Sequence, residues 1–190
     1  TTDAIIDSST YKVFKLHSSK VTAELLSQGI RKHWIFGNYS SMDWNLIPTI
    51  VANLNYSIIE FDYKYCKYRS TEKHEQAENM PCDCHNQMYG KMVSAFYYGA
   101  KSLWWMSEKQ MQKYHQAFPF LEQIKNTVLS SVFNSDFFSE IDHLRKKAQG
   151  VNREKYLVVG STSWIKGTQD GEALCKKKNF DYEVLWDLPY

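Results

Sequence analysis

The sequence contains no apolar run that approaches the roughly 20 residues a membrane-spanning helix needs. Its N-terminus, TTDAIIDSST, has neither the basic region nor the apolar core of a signal peptide. We therefore expect a soluble protein without a membrane partner. Because the chain does not begin with methionine, we expect an excised domain or a processed product, whose targeting signals would lie outside this sequence.

The sequence also lacks an excess of charge of one sign. Its 23 basic and 21 acidic residues leave a net charge of +2, and the two dense basic runs, 145–147 and 176–178, lie where helices are predicted to end, as on a solvated surface. No nucleic-acid partner is expected. Internal repeats and low-complexity stretches are missing too, and a hydrophobic content of 43% excludes a disordered chain. We expect a single domain, 1–190.

Cysteine is scarce and unevenly placed. There are four cysteines, and three of them, Cys66, Cys82 and Cys84, fall close together in the chain. Such clustering does not suit a disulfide framework in a chain of this size. We therefore expect a reducing compartment, with the cytoplasm as the default.

The cysteine-rich stretch is also rich in zinc-ligating residue types, and four such groups complete a tetrahedral structural site. The candidate zinc ligands are Cys66, His74, Cys82 and Cys84, with His85 as a fifth. Their spacing differs from that of standard knuckles, which pair cysteines two residues apart. Residues 67–86 are polar and predict an exposed loop, so a loop with incidental thiols is the alternative to a metal site.

A nucleophilic cysteine is a further alternative, with Cys84 beside His85, or Cys175, as the nucleophile. Adjacent residues of an extended chain point to opposite sides. We therefore do not expect Cys84 and His85 to form a catalytic pair, and we rank this reading below the metal site.

Hydrophobic periodicity predicts strands at both ends of the chain and helices in its middle. Ser18 or Ser19 is predicted to begin a helix that ends at Gly29, and Asp43 to begin a second. Ser107 is predicted to cap a further helix in the middle of the chain. Residues 87–150 carry aromatic and methionine stripes at helical spacing, which predict a helical insert. Strands are predicted at 11–16, 56–65, 156–159 and 180–186. The pattern indicates an α+β fold.

Three stretches between Phe14 and Ser41, FKLHSS, AELLSQGIR and IFGNYSS, resemble the opening of the ADP-ribosyltransferases of the poly(ADP-ribose) polymerase and diphtheria-toxin branch. In that family a strand ends in a His-Gly-Ser/Thr motif, a helix leads to a glycine turn, and a tyrosine-bearing segment follows. The resemblance implies a split antiparallel sheet, with NAD as substrate. It also makes delivery to another cell, as for a toxin or effector, compatible with the sequence.

The resemblance assigns cofactor-binding roles to four residues. His17 matches the histidine that binds the adenosine ribose, and Ser18 stands where the family has a glycine whose backbone holds the nicotinamide amide. Tyr39 matches the tyrosine on which nicotinamide stacks. Ser161 begins a Ser-Thr-Ser turn similar to that of arginine-targeting toxins.

Transfer of ADP-ribose needs a carboxylate near the ribose, because nicotinamide leaves from an oxocarbenium-like centre. Asp181 and Glu183 lie two residues apart and share one face of a predicted strand. The pair resembles the family's Glu-x-Glu arrangement and places Glu183 in the catalytic position. Glu154, which precedes another predicted strand, is the alternative.

Two function hypotheses follow from these patterns. The first is an NAD-binding transferase that moves ADP-ribose to an unknown acceptor, for which a protein acceptor is expected. The second is a non-catalytic protein-interaction module, with a structural zinc in the Cys/His segment and a partner-binding helical insert. Whether the chain is an enzyme stays open at this point.

Overall fold

The computed structural model describes residues 1–150 and 155–186. They divide into two compact units, the first from Thr1 to Asn134 and the second from Ser135 onward. Glu154, the alternative catalytic acid, lies outside the described residues. None of the helices in the described part of the chain is long and apolar enough to cross a membrane.

The first unit is built on a four-stranded parallel sheet with the strand order β1-β2-β3-β4. The register pairs Phe36 with Ile58, Glu60 with Trp105, and Trp105 with Val128. The carboxyl ends of all four strands therefore lie along one edge. The strands are β1 (His33–Phe36), β2 (Asn55–Glu60), β3 (Ser102–Trp105) and β4 (Lys125–Val128).

Helical crossovers join the strands, as parallel pairing requires. The helices of this unit are α1 (Thr2–Asp7), α2 (Ala23–Gln28), α3 (Ile47–Asn53), α4 (Thr71–Glu78), α5 (Met88–Tyr98) and α6 (Glu108–Ala117). The predicted cap at Ser107 is present, since its side chain accepts a hydrogen bond from the backbone N–H of Gln110. Helix α2 begins after Thr22 rather than after Ser18 or Ser19, which instead lie in a short 3-10 turn.

The core of the first unit lies on the central strand β2, which is buried from Tyr56 to Glu60. Burial of successive residues means that both faces of the strand are covered, as in α/β sheets. Phe96 of α5 stacks on Tyr56, with ring centroids 5.3 Å apart. Trp105, at the end of β3, is fully buried against Tyr97 and Tyr114.

The second unit contains α7 (Ser135–Lys147) and a compact strand–helix–strand element formed by β5 (Tyr156–Val159), α8 (Thr168–Lys178) and β6 (Tyr182–Leu185). Strands β5 and β6 pair in parallel. A Cβ atom at Gly171 would lie 3.0 Å from Val158. Glycine at this position therefore lets α8 pack closely on β5.

The predicted mixture of helices and strands is confirmed, but its finer arrangement is not. Every described strand pair is parallel, whereas the resemblance implied a split antiparallel sheet. The segment 87–150 contains β3 and β4 as well as helices. The two strands were not predicted because a strand of four residues is too short to show a period of its own. Residues 11–16 form no strand and are exposed.

Candidate metal centre

The connection that leaves β2 carries a compact cluster of sulfur and imidazole groups. One ligand atom from each of Cys66, His74, Cys82 and Cys84 lies within 4.8 Å of the other three. The Nδ1 atom of His74 is 3.4 Å from the Sγ of Cys84 and 3.7 Å from the Sγ of Cys66. The structure thus brings the four predicted zinc ligands together.

A tight turn places Cys66. Its backbone N–H donates to the carbonyl of Tyr63 at 2.8 Å, and its own carbonyl accepts from the N–H of Arg69 at 2.8 Å. Arg69 has a φ of 54°, a left-handed conformation uncommon for a side chain larger than glycine or asparagine. The Cys66 sulfur lies 3.3 Å from the carbonyl oxygen of Ser70, which begins the next element.

Helix α4 presents His74 to the cluster. Ser70 caps the helix by accepting from the N–H of Lys73 at 3.2 Å, and His74 lies one turn further, 6% exposed. The helix ends at Asn79 in the left-handed conformation. The chain then returns and delivers Cys82 and Cys84. Residues 67–86 are mostly exposed, as predicted, but they form a helix and a return segment rather than a loop alone, and they bury His74 and Cys84.

Glycine at position 90 allows α5 to pack against the last ligand. A Cβ atom there would overlap the carbonyl oxygen of Cys84 and lie 2.7 Å from the Cα of His85. No larger residue fits without moving the backbone that carries Cys84. The sequence offered no signal for this role, since the contact depends on the tertiary structure.

The dimensions of the cluster suit zinc. Tetrahedral coordination with Zn–S bonds of about 2.3 Å and Zn–N bonds of about 2.0 Å separates the ligand atoms by roughly 3.5 to 3.8 Å. Two of the three sulfur–nitrogen distances, 3.4 and 3.7 Å, fall close to these values, and the other ligand atoms lie within 4.8 Å of one another. Three thiolates and one imidazole form a donor set that zinc binds in structural sites.

The electrostatics of the cluster also favour a cation. Burial raises the pKa of the Cys66 thiol and raises the pKa of Cys82 to about 12, so without a metal both thiols keep their protons. Three thiolates this close together would repel one another. A bound Zn²⁺ would supply the positive charge that stabilises the thiolate forms.

His85, the fifth candidate, takes a different position. Its ring packs against Tyr65 and Phe118, and its Nε2 lies 4.0 Å from a carboxylate oxygen of Asp83. It lines a cleft of about 250 Å³ beside the cluster. Because Cys84 and Cys175 are both buried, neither has the exposure expected of a catalytic thiol.

A buried ionic network lies at the carboxyl end of β2, next to the cluster in the chain. The Glu60 carboxylate accepts hydrogen bonds from Tyr39 at 2.9 Å, from Lys64 at 2.8 Å and from Tyr97. Lys64 also donates to Asp62 at 3.2 Å. Burial raises the pKa of Glu60, and the Lys64 ammonium opposes that rise.

The network is connected to the turn that holds Cys66. Arg69 forms an ion pair with Asp62, and its guanidinium also reaches Asn38 at 3.4 Å. One turn of chain thus bears both a candidate metal ligand, Cys66, and two cations of the network, Lys64 and Arg69. Sequence reasoning missed this network, although three charged residues, Glu60, Asp62 and Lys64, in a mainly apolar and aromatic run were a usable signal.

The predicted NAD-binding residues have dissimilar surroundings. His17 is exposed, with its Nδ1 2.7 Å from the Ser19 hydroxyl, and Ser18 is half-buried beside it. Tyr39 is 1% exposed and packs against Trp44 and Phe96. Its ring therefore has no free face on which nicotinamide could stack.

Ser161 and Glu183 belong to the second unit. The Ser161 backbone N–H donates to the Thr168 hydroxyl at 2.9 Å, and that hydroxyl donates to the carbonyl of Val159 at 3.1 Å. Glu183 is exposed on β6. NAD binding by these residues stays a prediction.

Glycines shape the connection between β5 and α8. A Cβ atom at Gly160 would lie 2.8 Å from the carbonyl oxygen of Leu185, so the ends of the two strands approach closely there. Gly167, with a φ of 78°, is the N-cap of α8 and leaves the helix start without a side-chain cap. The connection is thus a tight turn that leads into a helix N-terminus.

No family model, curated protein or solved structure matches this chain.

Proposed function

We propose that this chain is a zinc-binding α/β protein in which one structural Zn²⁺ is held by Cys66, His74, Cys82 and Cys84. The observation that carries the proposal is the convergence of four soft ligand atoms within 4.8 Å of one another. With four protein ligands the coordination shell is closed, as in structural rather than catalytic sites. A partner-binding module is the functional class that such a site favours.

The zinc would fasten a segment that has little apolar surface of its own. His74 is the one buried residue of α4, all of which is described, and an isolated helix of eight residues is marginal in water. Structural zinc sites contribute on the order of 10 kcal/mol to folding. The metal therefore replaces a hydrophobic core for the connection between β2 and α5.

The test is metal analysis of the purified chain, with His74→Asn and Cys84→Ser as variants. We expect one zinc per chain, and a loss of thermal stability when a chelator removes it. Both variants should lose zinc. Cys175→Ser is the matched control, because it removes a buried cysteine outside the cluster and should retain full zinc content. Substoichiometric zinc with a chelator-insensitive melting temperature would contradict the proposal.

A second candidate function concerns the second unit, where we infer a binding site for the phosphate groups of a nucleotide. The features that support it are the parallel β5-α8-β6 order and the glycines at 160, 167 and 171. In parallel α/β sheets, ligands bind at the carboxyl ends of the strands, and a helix N-terminus favours phosphate. Asp170 in the first turn of α8 is acidic, so we expect weak, salt-sensitive binding.

NAD is the first probe for this site, because the sequence resemblance implies it, and ADP is the second. Thr162→Glu places a negative charge in the turn and should abolish binding measured by calorimetry. Lys177→Gln changes the net charge equally at the opposite end of α8 and should preserve it. Equal losses in both variants, or no heat with either nucleotide, would refute the site.

Transfer of ADP-ribose remains a separate proposal, supported by the resemblance of residues 14–41 and not by the position of Tyr39. Nicotinamide release from NAD, compared between the unmodified chain and Glu183→Gln, tests it directly. Turnover that is unaffected by the substitution would remove Glu183 from the mechanism.

A further inference from the structure

The four metal ligands differ in their access to solvent. Cys66, His74 and Cys84 are 1%, 6% and 8% exposed, whereas Cys82 is only half-buried. Cys82 also lines the cleft of about 250 Å³ beside the cluster, with walls that include Tyr65, Pro81, His85, Lys113 and Ala117. A small solute in this cleft therefore reaches one ligand sulfur and is kept from the other two.

The nearest reaction partner for Cys82 is another ligand. The sulfurs of Cys66 and Cys82 lie within 4.8 Å of each other, so the two groups are neighbours in the cluster. Cys82 and Cys84, in contrast, are separated by a single residue, which leaves little chain to close a bridge. The geometry therefore pairs the accessible sulfur with a buried one from the turn after β2.

We propose that Cys82 is an oxidation site, at which a peroxide converts the zinc centre into a Cys66–Cys82 disulfide and releases the metal. This inference rests on the proposed zinc function and adds a redox response to it. The cleft supplies access, the neighbouring Cys66 supplies the resolving thiolate, and the zinc keeps both sulfurs in the reactive thiolate form.

The reaction balances in two steps. The Cys82 thiolate attacks one oxygen of hydrogen peroxide, the O–O bond breaks, and sulfenic acid and hydroxide form. The Cys66 thiolate then attacks the Cys82 sulfur, the S–O bond breaks, and the disulfide and a second hydroxide form. Two electrons pass from the two sulfurs to the peroxide, and Zn²⁺ leaves because it has lost two of its four ligands.

The experiment treats the zinc-loaded chain with hydrogen peroxide and follows zinc release with a chromogenic chelator. Peptide mapping identifies the oxidised residues over time. We expect about one zinc released per chain, Cys82 as the first residue modified, and the Cys66–Cys82 disulfide as the product. A thiol reductant with added zinc should restore the metal content.

A pair of matched variants tests the role of the cleft. Ala117→Phe fills the cleft from α6 without changing a ligand, and should slow zinc release at least fivefold while zinc content stays at one. Ala52→Phe adds the same side chain at an exposed position of α3 and should leave the rate unchanged.

The two proposals fail in different ways. A chain that is purified without zinc, and does not bind it when zinc is added, refutes the metal site itself. A chain that binds zinc but is first oxidised at Cys66, Cys84 or Cys175, or releases zinc equally fast with Ala117→Phe, refutes only the oxidation site.

Discussion

Glu60 and Lys64 form an ion pair in which both side chains are 1% exposed. Burying two charges costs several kcal/mol of hydration, and the pair is stable only because hydrogen bonds satisfy both groups. The carboxylate has two tyrosine donors, and the ammonium has Asp62 and the face of the Tyr39 ring, 5.0 Å away. Breaking one side of the pair should therefore cost more than removing both.

Lys64→Met is expected to lower the free energy of unfolding by about 3 to 5 kcal/mol, because it leaves the Glu60 carboxylate buried without a cation. The double variant Glu60→Gln with Lys64→Met should recover most of this loss, since the amide still accepts from the tyrosines. Urea unfolding at saturating zinc measures both. A double variant no more stable than the single one would show that the pair is not coupled.

Gly90→Ala is expected to destabilise the chain, although helix propensity alone would predict a stabilisation. Alanine stabilises the interior of an exposed helix by up to about 1 kcal/mol relative to glycine. At position 90, however, the added methyl group would overlap the Cys84 carbonyl oxygen. We expect a less stable chain and at least tenfold weaker zinc binding, measured by competition with a chelator. A stabilised variant with unchanged zinc affinity would mean that α5 does not support the ligand.

At the scale of elements, helix caps and strands that depend only on neighbouring residues could be predicted from the sequence. The Ser107 cap and the apolar strand Tyr156–Val159 depend on neighbouring residues and were found as predicted. Residues 11–16 have the composition of a strand but no partner strand, so they form no strand and are exposed. Strand pairing is a long-range property, and this is why the parallel order was not predicted.

Removal of zinc is expected to unfold α4 while the sheet persists. Helix α4 contributes one buried side chain, His74, to the unit, whereas β2 is buried from Tyr56 to Glu60. Hydrogen exchange after chelation should therefore show loss of amide protection in α4 and retained protection in β2. Equal loss in both elements would indicate that the metal stabilises the whole sheet.

At the scale of the whole molecule, the candidate metal centre was more predictable than the fold that surrounds it. Cysteine and histidine carry zinc chemistry in their side chains, so Cys66, His74, Cys82 and Cys84 could be named before their distances were known. Glu60 acquires its role only through burial at the end of a parallel strand. Tyr39 shows the converse, since its sequence context indicated a ligand site and its burial makes it a core residue.

The division into two units predicts that the first unit can fold and bind zinc without the second. All four ligands lie within the first unit, Thr1–Asn134, which has its own sheet and core. A fragment of residues 1–134 should therefore fold and bind one zinc with the affinity of the full chain, because no ligand comes from the remainder. Metal analysis and circular dichroism of the fragment, with the full chain alongside, measure this. A fragment that is unfolded, or folded without zinc while the full chain holds one, would show that the second unit is needed to complete the centre.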